Sequence, residues 1–263
     1  AEAKEYAENF PNSFLRITRS EIELPDSVDH YSEEVYLKAK SNLERITKDA
    51  PLVTDQNPHF YLYRLIMDGR AQVGITATFS VDDYDNNVIL KHEKTRKEKE
   101  DDRTNHIITT KAQTGVVFLT YRDIPNVNEI VNNVISKNEP IYDFVAPDGI
   151  SHTVWILPDE LNQSIIDEIA KVKNLYIADG HHRAKSASRA KEVMAKNNPN
   201  HNGSEEYNYF IAVLFPANQL KILSYNRVVA DLNGHSKEEF LNLISEKFTI
   251  SYRFNNRFFF DFT

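Results

Sequence analysis

Leu175-Tyr176-Ile177-Ala178-Asp179-Gly180-His181-His182-Arg183-Ala184 is the stretch from which the fold of this chain is read. Residues 175–178 form a short apolar run with a β-branched member, the pattern of a buried strand. Asp179-Gly180 is a turn signal. Beyond it, Ala184, Ala187 and Ala190, followed by Val193 and Met194, put one small apolar face on a helix over residues 181–196. The predicted element is strand, glycine turn, helix start. The first turn of a helix carries free N–H groups and the positive end of the dipole, so it attracts anions. Two histidines and an arginine there oppose the usual preference for acidic residues. The conflict is relieved when an anion sits between the cations and the helix end.

A simpler reading stands beside this one. Asp179 can cap the helix while the histidines are a solvated helix start. A zinc site is disfavoured, because adjacent helical side chains point about 100° apart and the chain has no cysteine. Asp179-Gly180-His181-His182-Arg183 resembles the phosphate-binding signature of the ParB/sulfiredoxin-like nucleotide-binding fold, in the form carried by the archaeal free serine kinase. In sulfiredoxin the place of His181 is held by a catalytic cysteine. Without any cysteine, sulfinic acid reduction is excluded here and phosphate binding is not.

A broader resemblance runs along nearly the whole chain. Tyr61-Leu62-Tyr63-Arg64, Ser80-Val81-Asp82-Asp83-Tyr84, Lys91-His92-Glu93, Thr95-Arg96, Asp102-Arg103, Phe118-Leu119-Thr120-Tyr121-Arg122-Asp123 and Tyr225-Asn226-Arg227-Val228-Val229 occur in this order. Together with the central motif they resemble the bacterial and archaeal family labelled domain of unknown function 1015. That family has no settled activity.

The chain has 263 residues, 41% hydrophobic and 27% charged, enough for one large domain or one and a half, with a sizeable core. No run approaches the length of a membrane span. No signal-peptide pattern is present and no disulfide framework can form, so a cytoplasmic location is expected. A net charge of −8 argues against a non-specific nucleic-acid binder, which needs a basic surface. Both ends read as cut: residue 1 opens inside a helical pattern, and residues 258–262 are too apolar for a free tail.

In chain order, residues 1–9 are helical in composition and residues 13–18 read as a strand. A helix over 32–48 has Ser32 as N-cap and Val35, Ala39, Leu43 and Ile46 on one face. Strands at 60–67 and 71–79 are joined by Asp68-Gly69, a strong hairpin signal. Ser80-Val81-Asp82-Asp83 opens a helix that the pattern carries to residue 111, with a break allowed near Thr95. His92, Arg96, Arg103 and His106 then share a polar stripe. Taken alone, the stripe is a solvated, ion-paired face. The family resemblance instead places Lys91, His92, Glu93, Arg96 and Arg103 near the phosphate site. A strand at 115–121, a helix at 127–136, a hairpin of 141–146 with 152–157, and a helix at 158–172 follow. Its buried stripe is Leu161, Ile165, Ile166 and Ile169. Trp155 reads as core. Strands at 209–215 and 220–225 make a third hairpin, ending at Asn226-Arg227. A capping box at Ser236-Lys237-Glu238-Glu239 starts the last helix, and a strand at 248–254 follows it.

The expected fold is α+β, a ParB/sulfiredoxin-like nucleotide-binding core over residues 1–231, followed by the start of a smaller C-terminal α/β subdomain over 232–263. The resemblance implies a nucleotide-dependent phosphotransferase that uses ADP or ATP with Mg²⁺ and acts on a small hydroxyl metabolite. Gly180, His181, His182 and Arg183, with Lys91, Arg96, Arg103 and Arg227, would hold the phosphates. Asp179 or Glu93 would take the hydroxyl proton, with His92 beside them, and Asp179 is the candidate for the metal. The alternative class is a nucleotide-responsive binding or regulatory module without turnover.

Overall fold

The computed structural model describes residues 2–50, 52, 54–223, 230–253 and 257–261. The chain divides into two compact units, Ala1–Leu220 and Lys221–Thr263. In the first unit the elements are α1 (Glu2–Glu8), α2 (Leu15–Thr18), α3 (Glu33–Asp49), β1 (Tyr61–Met67), β2 (Arg70–Ser80), α4 (Val81–Asp85), β3 (Ile89–Leu90), α5 (Lys97–Thr110) and β4 (Val117–Tyr121). They continue with α6 (Pro125–Lys137), β5 (Tyr142–Val145), β6 (Ser151–Ile156), α7 (Asn162–Ile169), β7 (Leu175–Asp179), α8 (His181–Lys196) and β8 (Tyr209–Pro216). The second unit contains α9 (Lys237–Ser245) and an antiparallel pair, β9 (Thr249–Arg253) with β10 (Arg257–Asp261).

The fold is mixed α+β. Among the described residues the first unit holds one eight-stranded sheet, ordered β3-β7-β4-β8-β2-β1-β6-β5. Its far half is antiparallel and built from two hairpins, β1–β2 and β5–β6. Asp68 and Gly69 turn the first with φ of 52° and 74°, the left-handed pair that a two-residue hairpin demands. The near half is mixed: β8 runs antiparallel to β2 and parallel to β4, β7 runs antiparallel to β4, and β3 adds in parallel to β7. The main core cluster lies on one sheet face. Leu62, Leu119, Ile177, Phe210 and Trp155 meet Val127 and Val131 of α6, Ile165 of α7, and Ala184 and Ala187 of α8.

The structure corrects four expectations. Residues 13–18 are not a strand: Leu15–Thr18 is helical, and Arg19 N–H closes on the Leu15 carbonyl at 2.8 Å. Arg16 reaches back to the Ala7 and Phe10 carbonyls at 2.6 and 3.1 Å, satisfying the end of α1. The long helix expected over 81–111 breaks well before Thr95. Asn87 adopts φ 59°, and Ile89 and Leu90 pair with Leu175 and Tyr176. Residues 91–96 then form a loop before α5. The helix at 158–172 starts as a 3-10 turn, Asp159–Leu161, and Ile166 is exposed at 45%. Among the described residues the third hairpin has no second strand: β8 passes into a 3-10 turn at Ala217–Gln219 and residues 220–223 carry no strand, while 224 and 225 of that expectation lie outside the described residues. Two signals in the second unit hold. Ser236 and Glu239 form a reciprocal capping box on α9, and β9 (Thr249–Arg253) lies within the strand expected over 248–254.

Candidate functional site at the start of α8

The sheet aims β7 at the start of α8, and Gly180 makes the corner with φ 97° and ψ 27°. That left-handed conformation favours glycine. The side chain of α8 residues explains how closely the helix lies on its neighbours. Ala184, Ala187 and Ala190 are 0–2% exposed, Ser186 donates to the Glu100 carbonyl of α5 at 3.2 Å, and Ser188 donates to Asp85 of α4 at 2.8 Å. Arg189 pairs with Glu100 and Asp101 at 3.3 and 2.5 Å, and Lys191 pairs with Asp82 at 2.6 Å. These contacts fix the middle of α8 against α4 and α5.

Arg183 is threaded between two glycines. A Cβ added at Gly180 would lie 3.0 Å from its Nε, and one added at Gly115 would lie 3.0 Å from its Cδ. Its guanidinium pairs with Asp179 and donates to the Val116 carbonyl. Asp179 keeps its carboxylate 71% exposed despite this pair.

The two histidines are fasteners of the 91–96 loop. The Nε2 atom of His181 accepts the His92 backbone N–H at 3.4 Å, and the Nε2 atom of His182 accepts the Arg96 N–H at 3.1 Å. An accepting Nε2 leaves the proton of His181 on Nδ1, which stands 3.3 Å from a Glu93 carboxylate oxygen. Burial pushes the His181 imidazole below its ordinary value, and the nearby His92 ring acts in the same direction. The His92 ring meets His181 edge-on, 4.4 Å between centroids.

The structure thus brings His92, Glu93 and Arg96 onto the first turn of α8, beside His181 and His182. Lys91 turns away onto α4, where its ammonium donates to the Tyr84 carbonyl at 2.7 Å and lies 4.0 Å from the ring centroid. Burial lowers its pKa. Arg103 is not part of the loop cluster; it lines a cleft of about 430 Å³ together with Arg183 and Gly115. Arg227 lies outside the described residues. Among the described residues, no group of three or more histidine or acidic side chains is arranged to hold a metal ion.

Sequence reasoning missed Gly115 and the Val116 carbonyl, the partners that hold Arg183. A glycine opening a predicted strand was the available signal, because such a glycine marks close approach. It also missed Asp102, in the same cleft and adjacent to the singled-out Arg103. The break at Asn87 hid the loop geometry.

No helix among the described residues is long and apolar enough to cross a membrane. No curated protein and no solved structure matches this chain. Its sequence matches the family described as Protein of unknown function (DUF1015) over residues 1–261, and the chain belongs to that family.

Proposed function

We propose that this chain is a nucleotide-dependent phosphotransferase: it binds ADP or ATP with the phosphates on the first turn of α8 and transfers a phosphoryl group to the hydroxyl of a small metabolite. The observation that carries the reading is the left-handed Gly180 opening α8 with Arg183 held at its mouth and two exposed carboxylates, Asp179 and Glu93, beside it. The resemblance of Asp179-Gly180-His181-His182-Arg183 to the free serine kinase, and with it a ParB/sulfiredoxin-like core, supports the same reading.

Phosphoryl transfer needs charge neutralisation, in-line placement and a proton acceptor. Arg183, Arg96 and the helix N–H groups meet the first need. In the transfer the metabolite oxygen bonds to the terminal phosphorus, the bond from phosphorus to the bridging oxygen of the nucleotide breaks, and the hydroxyl proton passes to a carboxylate. Glu93 and Asp179 are the two candidates. His181 and His182 hold the loop that carries Glu93 and Arg96, so their part is positioning. Mg²⁺ is commonly held by one or two carboxylates together with substrate phosphates, and the exposed Asp179 fits that need. When bound, the metal supplies further neutralisation of the phosphate oxygens.

A second reading, a nucleotide-responsive binding module, is favoured by one feature: Asp179 is engaged by Arg183 and Glu93 by His181. The test is incubation of the chain with ADP or ATP, Mg²⁺ and a panel of hydroxyl metabolites including amino acids. A phosphorylated product establishes the transferase. Nucleotide binding without product, over the whole panel, selects the module.

A further inference from the structure

Arg103 lines a cleft outside the loop cluster. The cleft lies between the 18–36 segment and the Asp102–Ile107 face of α5, with Gly115 and Arg183 also in its wall. Its volume, about 430 Å³, falls in the usual small-molecule range of roughly 300–1,000 Å³. Three arginines and two histidines face two carboxylates there, in a chain of net charge −8. Both carboxylates are engaged. Glu21 pairs with Arg19 at 3.1 Å, and Asp102 accepts the Tyr36 hydroxyl at 3.1 Å. His106 donates through Nε2 to the Ile17 carbonyl at 3.0 Å, which leaves Nδ1 as an acceptor. Arg103 is exposed and makes no hydrogen bond or ion pair among the described residues. No residue of the 91–96 loop lines this space, so it is separate from the loop cluster, and Arg183 is where the two adjoin.

We infer that this cleft is a second ligand site, which takes a small oxyanion, a carboxylated or phosphorylated metabolite, between Arg103 and Arg183. Asp102, with one oxygen on Tyr36, offers the other to a hydroxyl of the same molecule. The anion site stands on the geometry of the cleft; naming its occupant as the phosphoryl acceptor rests on the proposed function. Arg103, free of a partner among the described residues and set in a concave wall, suits carboxylate or phosphate, because the planar guanidinium presents paired donors to paired oxygens.

The experiment is calorimetric titration of the whole chain with inorganic phosphate and with malonate, followed by ADP with Mg²⁺ on the anion-saturated protein. One saturable site is expected for the better of the two anions, and the preference tells a phosphorylated from a carboxylated occupant. Arg103→Gln should weaken it at least about tenfold, the scale of one lost charge-assisted contact. Arg19→Gln is the second variant, expected to act in the same direction, and Lys99→Gln, on the exposed part of α5, is the control. ADP should still bind the anion-saturated chain. Failure of both anions to bind, unchanged affinity in Arg103→Gln, or complete displacement of the anion by ADP would overturn the second site. Arg103-dependent anion binding with no ADP binding supports the cleft and refutes the nucleotide reading.

Discussion

Replacing Gly180 with alanine tests how the start of α8 is held. A side chain in the left-handed region costs about 1–2 kcal/mol, and the stiffer unfolded chain of alanine returns about 0.4–1 kcal/mol. Gly149, at φ 83°, isolates this balance, because a Cβ added there meets nothing within 4 Å. Gly149→Ala is therefore expected to cost about 0.5–1.5 kcal/mol. At Gly180 the added Cβ lies 3.0 Å from Nε and 3.1 Å from Cζ and Nη2 of Arg183, so the guanidinium must move. Its pair with Asp179 joins side chains 33% and 71% exposed, so its loss costs at most about 1 kcal/mol. Loss of the bond to the Val116 carbonyl adds about 1–2 kcal/mol after allowance for exposure. Gly180→Ala should thus cost about 1–3 kcal/mol more than Gly149→Ala, on the sum of these terms. The assay is urea unfolding followed by the fluorescence of Trp155, the single tryptophan, which is buried in the sheet core. In the double variant Gly180→Ala, Arg183→Ala the excess should shrink, since the colliding group is gone. Equal costs at the two glycines, or an excess that survives removal of Arg183, would refute the threaded arrangement.

Three further outcomes are expected. Gly74→Ala should destabilise by about 2 kcal/mol or more, because its Cβ would stand 2.5 Å from Val213 Cγ1 and 2.9 Å from the Phe215 ring; a second change, Val213→Ala, should recover part of the loss in the same unfolding assay. Burial depresses the His181 pKa below its ordinary 6.5, so on acidification the unfolded chain takes up this proton first. Stability should then fall as pH drops from 6.5 through the folded value, and His181→Gln should flatten that limb of a plot of unfolding midpoint against pH. Burial pushes the Glu23 carboxyl up, but hydrogen bonds from Asn42, Arg16 and Lys38 outweigh it and bring the pKa down to about 2. Its contribution is present above pH 4.5 and lost as pH falls toward 2, so Glu23→Gln should be destabilising at neutral pH and remove that acid limb.

The sequence by itself determined the elements whose causes are local. The apolar run at residues 175–178, the glycine after it and the alanine spacing on α8 suffice for strand, corner and helix, because each depends on side chains within a turn or two. Asp68-Gly69 and the Ser236 capping box were legible for the same reason. The candidate phosphate turn was legible as well, since its glycine and its cations are consecutive. Only the tertiary structure decided the rest. Residues 89–90 leave the helical pattern because β7, eighty-six positions later, offers them hydrogen bonds. That pairing turns residues 91–96 into a loop whose N–H groups then reach the two histidines. Likewise β8 read as half of a hairpin, yet it joins β2 and β4, two strands distant in sequence. The Arg183 contacts and the cationic cleft are assembled from segments as far apart as residues 18 and 183, and no local periodicity encodes which distant partner completes a hydrogen bond or closes a wall.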